Sequence, residues 1–259
     1  MTRLLSGVAL AGAALAAILL LPNAALRLLA CGVALLAARE YLRVLHPDGR
    51  RADPLPVLLL VGLTCWWMGA PARGDVLGLV LATLAWLAIE VVFRGVTVER
   101  AAARLLAPWY VGMPLGMLAA VHATGGRLAT LLLIATVVVS DSAQYYSGRL
   151  FGRRPLAPAI SPRKTIEGAI GGAVLATLFL ALAGPRVLPT AGSVSLALLG
   201  LAVVALGMCG DLFESRLKRI AGVKDSAAII PGHGGILDRI DALLFATPAF
   251  YWYVLNLEP

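Results

Sequence analysis

Charge is scarce in this sequence. Of its 259 residues, Asp, Glu, Lys and Arg make up 14%, while hydrophobic residues make up 60%. A water-soluble domain of this length carries about 25% charge, so the chain has too little to cover a surface facing water. The apolar excess rules out disorder as well. Cysteine is also scarce: Cys31, Cys65 and Cys209 stand far apart within apolar stretches. Their odd number and wide spacing argue against a disulfide framework or a thiolate metal site, and they read as packing residues. There is no low-complexity linker, and the three histidines offer no Ser/His/Asp triad.

Long apolar runs are what the sequence has in abundance, and mean hydropathy is +0.87. Cut at the charged and Pro/Gly clusters, the runs fall at 4–21, 24–45, 55–70, 75–93, 105–121, 128–147, 166–183, 194–210 and 238–257. Each is close to the roughly 20 residues a bilayer requires of a helix. They are continuous and Ala/Leu-rich, not alternating, which favours helices over barrel strands. The predicted fold class is all-α: a polytopic integral membrane protein with about nine transmembrane helices. Residues 1–259 read as a single membrane domain, with N-terminal helices over 1–125 and catalytic helices and cytoplasmic loops over 126–259. Arg3 and the apolar run after it read as the first transmembrane helix, not as a cleaved leader.

The net charge is +8. In a soluble protein that would suggest nucleic acid; in a membrane protein it reports orientation, because cytoplasmic loops collect Lys and Arg. With the N-terminus in the cytoplasm and the sides alternating, 18 of the 22 basic residues fall on the cytoplasmic side. Only Arg27, Arg73, Arg127 and Arg186 fall on the other. One misplaced span would scramble that asymmetry. A cytoplasmic N-terminus and no nucleic-acid partner are therefore expected.

Ionisable groups inside a span are costly and are functional candidates. The sixth run turns polar at its cytoplasmic end with Ser140, Asp141, Ser142, Gln144, Tyr145 and Tyr146. All of these cannot face lipid, so a cavity open to the cytoplasm is expected there. A second cluster runs from Gly210 to Arg219, in which Asp211, Glu214, Ser215 and Lys218 recur at three- and four-residue spacing and share one helical face. The last run opens with Asp238-Arg239-Ile240-Asp241. Before it lies Pro231-Gly232-His233-Gly234-Gly235, where glycines let backbone approach a ligand and expose amides ahead of a helix, which suits an anion. Two long basic loops, 148–165 and 211–237, each follow a span ending in an aspartate, a hint of internal duplication.

Carboxylates beside an anion site make sense if a divalent cation lies between them. Hard oxygen ligands favour Mg²⁺ bridging carboxylate to phosphate, with Lys and Arg holding the other phosphate oxygens. From the residues alone, more than one reading stays open. One is a membrane enzyme using Mg²⁺ on a phosphorylated substrate from the cytoplasm; another is surface ion pairs plus topology-setting charges. A transporter with Asp141 and Glu90 as ion sites is a third, although paired broken helices at the midplane would suit it better than charges gathered on one side. Glu40 and Glu90 read as neutralised or ion-paired carboxylates near helix ends, beside Arg39, Arg43 or Arg94.

The run Ser215-Arg216-Leu217-Lys218-Arg219, Lys224-Asp225-Ser226-Ala227 and Ile230 through Asp241 resembles the signature of the phosphatidate cytidylyltransferases, the CDP-diacylglycerol synthases. Ser161-Pro162-Arg163-Lys164-Thr165-Ile166-Glu167-Gly168 and Asp141-Ser142-Ala143 with Gly148–Gly152 are also similar to motifs of that family. The resemblance is specific over 141–241. Ile166 stands where the family often has Trp, and Gln144 where a small residue is common; neither removes a carboxylate or a lysine.

The resemblance implies transfer of CMP from CTP to phosphatidate, giving CDP-diacylglycerol and pyrophosphate. Asp141, Lys164, Asp211 and Asp238 would be catalytic, and Asp211, Asp238 and Asp241 would hold Mg²⁺, with a second cation such as K⁺ assisting. Substrate would be bound by Ser161, Arg163, Thr165, Glu167, Ser215, Lys218, Arg219, Lys224, Asp225, His233, Gly234, Gly235 and Arg239. His233 fits a backbone turn or phosphate contact better than a base. The implied setting is the inner (plasma) membrane with the site facing the cytoplasm, in a homodimer. The alternative is a CTP-dependent polyprenol or phytol kinase, which would transfer the γ-phosphoryl to an alcohol and need a base for the hydroxyl proton.

Overall fold

In a computed structural model, residues 2–45, 53–70, 76–227 and 234–257 are described. The helices are α1 (Thr2–Leu20), α2 (Asn23–Leu45), α3 (Leu55–Met68), α4 (Val76–Ala88), α5 (Val98–Ala107), α6 (Met113–Phe151), α7 (Ile166–Val187), α8 (Ser193–Ile220) and α9 (Leu237–Leu255). A π-helical turn extends α4 over Ile89–Phe93, and another joins α5 to α6 over Pro108–Gly112. A two-stranded antiparallel hairpin, β1 (Pro155–Ala157) and β2 (Ser161–Thr165), pairs Pro155 with Thr165 and Ala157 with Ser161. The all-α expectation thus holds apart from this hairpin, which occupies the first long loop.

Four helical runs among the described residues are long and apolar enough to cross a membrane: Val76–Phe93, Val98–Phe151, Ile166–Val187 and Ser193–Ile220. Their outer faces carry bare apolar side chains such as Leu81, Leu128, Leu178, Leu182, Val194 and Leu198. A large continuous apolar exterior marks contact with lipid.

The 54-residue run Val98–Phe151 covers two predicted spans with no loop between them. Gly126, at φ 78° and ψ −179°, breaks it in a conformation only glycine adopts readily. Before the break, Tyr110 packs on Phe245 midway along α9. At the break, Gly125 abuts Val254 near the other end of α9. After it, Asp141 returns to the cavity that Asp241 lines. The chain therefore reverses at Gly126 within one turn, and each arm runs alongside α9.

Two apolar cores form. One gathers both arms of α6 and Met68 of α3 with α7, α8 and α9 around Leu133, Leu180, Leu196 and Phe250. The other gathers α2, α3 and the α5–α6 junction around Tyr41, Val61, Val111 and Leu237. Helix α9 supplies residues to both, through Phe250 to the first and Leu244 to the second. With α3 and α6 it joins the two cores; its first turn carries Asp238, and Asp241 follows at the start of the second.

Close backbone approach sets the positions of the polar helix ends. A Cβ on Gly168 would lie 2.7 Å from the Gln144 carbonyl oxygen, and one on Gly172 would lie 2.4 Å from Gln144 Cγ. The GxxxG face of α7 thus seats directly on α6, as small residues permit in membranes. A Cβ on Gly210 would lie 2.4 Å from the Asp241 carbonyl oxygen, so α8 touches α9 at the residue before Asp211.

Candidate active site

The sequence places its polar clusters on α6, β2, α8 and α9, and the packing above brings them to one cavity of about 660 Å³. Asp141, Arg163, Lys164, Thr165, Asp211, Lys218, Asp225, Asp238, Arg239 and Asp241 all line it, joined by Gln144 and Arg149. Helix α8 runs on to Ile220, so the segment from Asp211 to Arg219 is helical where a loop beginning at 211 was expected. That extension lifts Lys218 two turns beyond Asp211, above the first turn of α9.

Three ion pairs organise the charges. Lys164 Nζ contacts Asp211 Oδ2. Lys218 Nζ lies 2.5 Å from Asp238 Oδ1 and 3.4 Å from Glu214 Oε2. The opposite oxygen of Asp238 is saturated: Oδ2 accepts from Ser226 N at 3.0 Å, Ser226 Oγ at 2.8 Å and Gly235 N at 2.8 Å. Asp211 Oδ1 takes a hydrogen bond from Ser215 Oγ at 3.3 Å. Asp141 is exposed to the cavity. Asp241 and Asp211 act on it as like charges across the cavity and Lys164 as the compensating one.

The donor set suits a hard cation. Asp141 and Asp241 line the cavity, Asp241 with Oδ1 accepting from Ala242 N at 2.8 Å, while Asp211 Oδ2 and Asp238 Oδ1 would come free only on release of Lys164 and Lys218. Beneath them Glu214, 1% exposed, keeps an oxygen, Oε1, with no hydrogen-bond partner. Glu214 lies against the Asp241 carboxylate, so a proton shared between the two, or a cation, would relieve the cost of the unpaired oxygen. Among the described residues no three acidic, histidine or cysteine side chains lie close enough together to hold a metal ion by themselves.

Other predicted residues take supporting places. Thr165 caps α7, its hydroxyl accepting from Gly168 N at 3.1 Å. Glu167 turns away from the cavity and accepts from the amides of Arg153 and Arg154 at 3.0 and 3.2 Å, tying the hairpin to α7. Ser161 opens β2 opposite Ala157. Arg219 reaches the Ile160 carbonyl oxygen at 3.4 Å, fastening α8 to the hairpin turn. Lys224 is exposed on the loop. Ser161, Glu167, Ser215, Arg219 and Lys224 do not line the cavity. Gly234 adopts φ 77°, and a Cβ on Gly235 would lie 2.1 Å from Ser226 Oγ, so both positions demand glycine. His233 lies outside the described residues.

Glu214 and Ser226 join the site without a role expected of them from the sequence. Glu214 had a signal, its three- and four-residue spacing from Asp211 and Lys218. Ser226 had none beyond its place in the motif, because its partners come from α2 and α9.

A profile of the cytidylyltransferase family matches residues 1–257. Curated relatives are similar over part of the chain. The phosphatidate cytidylyltransferase of Haemophilus influenzae is 44% identical over 137 residues, covering 50% of this chain and 48% of the relative. That of Aquifex aeolicus is 43% identical over 121 residues, covering 47% and 45%. The uncharacterized protein YnbB of Escherichia coli K12 is 41% identical over 138 residues, covering 53% and 46%. The chain spans about half the length of the curated relatives it matches.

Proposed function

This chain belongs to the cytidylyltransferase family, and from that premise we propose that it is a phosphatidate cytidylyltransferase, moving CMP from CTP onto phosphatidate with release of pyrophosphate. One observation carries the reading: Asp141, Asp211, Asp238 and Asp241 converge with Arg163, Lys164, Lys218 and Arg239 on a single cavity. Relatives that match half of the chain carry that activity in their names. In this reading nine spans cross the inner membrane, the N-terminus is cytoplasmic, and the cavity opens to the cytoplasm. The basic residues around the cavity, on the side where 18 of 22 cations collect, support that orientation.

The reaction needs little acid–base chemistry. A phosphate monoester has a second pKa of about 6, so the phosphatidate oxygen is already largely anionic. It attacks the α-phosphorus of CTP, the bond from that phosphorus to the bridging oxygen breaks, and pyrophosphate leaves with the electron pair. One phosphoanhydride replaces another, so removal of pyrophosphate elsewhere would draw the equilibrium forward.

The barrier is the meeting of two anions, and it falls by charge neutralisation and alignment. Lys164 and Lys218 are held in the cavity by carboxylates that substrate phosphates can replace. Arg163 and Arg239 stand at the same cavity and suit the outer phosphate oxygens. Mg²⁺ on Asp211, Asp238 and Asp241 would supply Lewis-acid neutralisation of the phosphates when bound. An apolar groove of about 280 Å³ is lined by Trp109, Tyr110, Met113, Phe213 and Phe245. Phe245 lies one helical turn past Asp241, a placement that suits the tails of a lipid whose headgroup sits at the carboxylates.

The test feeds purified protein phosphatidate and CTP labelled at the α or the γ position. Label from the α position entering lipid, abolished by EDTA and restored by Mg²⁺, is expected. Label entering lipid from the γ position alone would establish a lipid kinase instead.

A further inference from the structure

Glu40 lies in the N-terminal helices, far in sequence from every residue of the cavity, yet its side chain is wholly buried. On α2 it has no arginine partner. It faces the start of α9: Oε1 accepts from Ile236 N at 3.0 Å and Oε2 from Leu237 N at 2.8 Å. The first amides of a helix lack partners within the helix, and a carboxylate there also meets the positive end of the helix dipole. Glu40 thus caps α9 from another element. The Ser226 hydroxyl sits between two carboxylates, 3.0 Å from Glu40 Oε2 and 2.8 Å from Asp238 Oδ2. Gly235 leaves room for this arrangement, since a Cβ there would lie 2.4 Å from Glu40 Oε2.

We propose that Glu40 is a positioning residue for the site. It clamps the first turn of α9 against α2 and, through Ser226, sets the Asp238 carboxylate that holds Lys218. A carboxylate merely neutralised in the interior would pair with a side-chain cation, as Glu90 does with Arg104. Glu40 instead spends its oxygens on the two segments that carry the reacting groups. Without it the Ile236 and Leu237 amides lose their partner, the 234–237 segment separates from α2, and Asp238 loses a fixed rotamer.

The activity arm of the test rests on the function proposed above; the structural arm does not. Full-length Glu40→Gln, Glu40→Ala and Ser226→Ala proteins in nanodiscs are compared with wild type for hydrogen exchange of a peptide spanning 234–241. The same samples are assayed for α-label transfer, with kcat and KM separated. Loss of a hydrogen bond to a charged group predicts about tenfold or greater change. Exchange in that peptide should therefore accelerate about tenfold in Glu40→Ala, and less in Glu40→Gln, which keeps one acceptor oxygen. Peptides from α7 and the middle of α8 should not change. Turnover should fall in the same order, with a larger fall in kcat than rise in KM for CTP, since the capped turn carries Asp238 as well as the phosphate-facing Arg239. Unchanged exchange at 234–241 in Glu40→Ala would overturn the proposal. So would accelerated exchange with wild-type kcat. If Glu40→Ala fails to fold, Glu40→Gln and Ser226→Ala decide by the same criteria. Local acceleration in a protein whose wild type transfers no α-label would uphold the clamp and reject the cytidylyltransferase reading.

Discussion

The N-terminal helices and the cavity handle carboxylates in opposite ways. Glu40 and Glu90 are each 0–1% exposed and every oxygen is matched: Glu40 by two backbone amides, with the one Ser226 hydroxyl proton shared between it and Asp238, and Glu90 by Arg94 at 2.7 Å and Arg104 at 2.6 Å. In the cavity, Asp141 stands open, Glu214 keeps an unmatched buried oxygen, and the pairs of Asp211 and Asp238 are with lysines at an open pocket. Closed electrostatics hold helices together. Open electrostatics leave charge for a ligand to complete, and that is where chemistry belongs.

The sharpest way to break this comparison is Asp211→Asn. If the cavity is the reacting centre, α-label transfer should fall by about 10³-fold, or about 4 kcal/mol of transition-state stabilisation, while the protein inserts normally and its thermal midpoint stays near that of wild type. Near-normal turnover would remove Asp211 from the site. The reverse pattern is expected at Glu90. Arg104→Ala leaves that buried carboxylate without its enclosed partner and should cost about 3 kcal/mol of stability, read as a lower thermal midpoint in detergent. Turnover per folded molecule should stay within a few-fold, and a selective loss of turnover would merge the two regions into one functional unit.

Lys164→Ala comes next. It removes one cation from the cavity and should lower kcat/KM by about 10²-fold, measured by the same transfer assay; an unaltered value would assign Lys164 to packing alone. The smallest effect is expected at Arg94, the other partner of Glu90. Its side chain is 46% exposed, and an exposed pair four residues apart contributes about 0.3–0.5 kcal/mol. Arg94→Ala should therefore shift the thermal midpoint far less than Arg104→Ala. Equal shifts would show that burial is not what separates the two pairs.

How far the sequence reached depended on range. Asp141, Asp211, Asp238 and Asp241 stand out because each sits beside glycine or other polar residues at one end of an apolar run, where local pattern alone marks it; Lys164 enters only through the family resemblance. The 211–219 segment was expected to be loop because its charge ends the apolar run, yet its i, i+3 and i+4 spacing already fitted a helix and α8 continues through it. The hairpin at 155–165 escaped notice: strands of three and five residues carry too little alternation to register. The reversal at Gly126 was placed between two spans, but not as a turn made by one glycine.

By itself the sequence determined the lipid-facing composition, the intervals of apolar helix and the motif-bearing ends, since these follow from hydropathy and spacing along the chain. Only the tertiary structure decided which ends meet. Glycine faces on α7 and α8 let helices approach until Asp141, Asp211 and Asp241 share one cavity, and α9 seats between two cores. The pairing of Glu40 with residues 186–197 positions away has no local signature, because hydrogen bonds between distant segments exist only once packing has brought those segments within 3 Å.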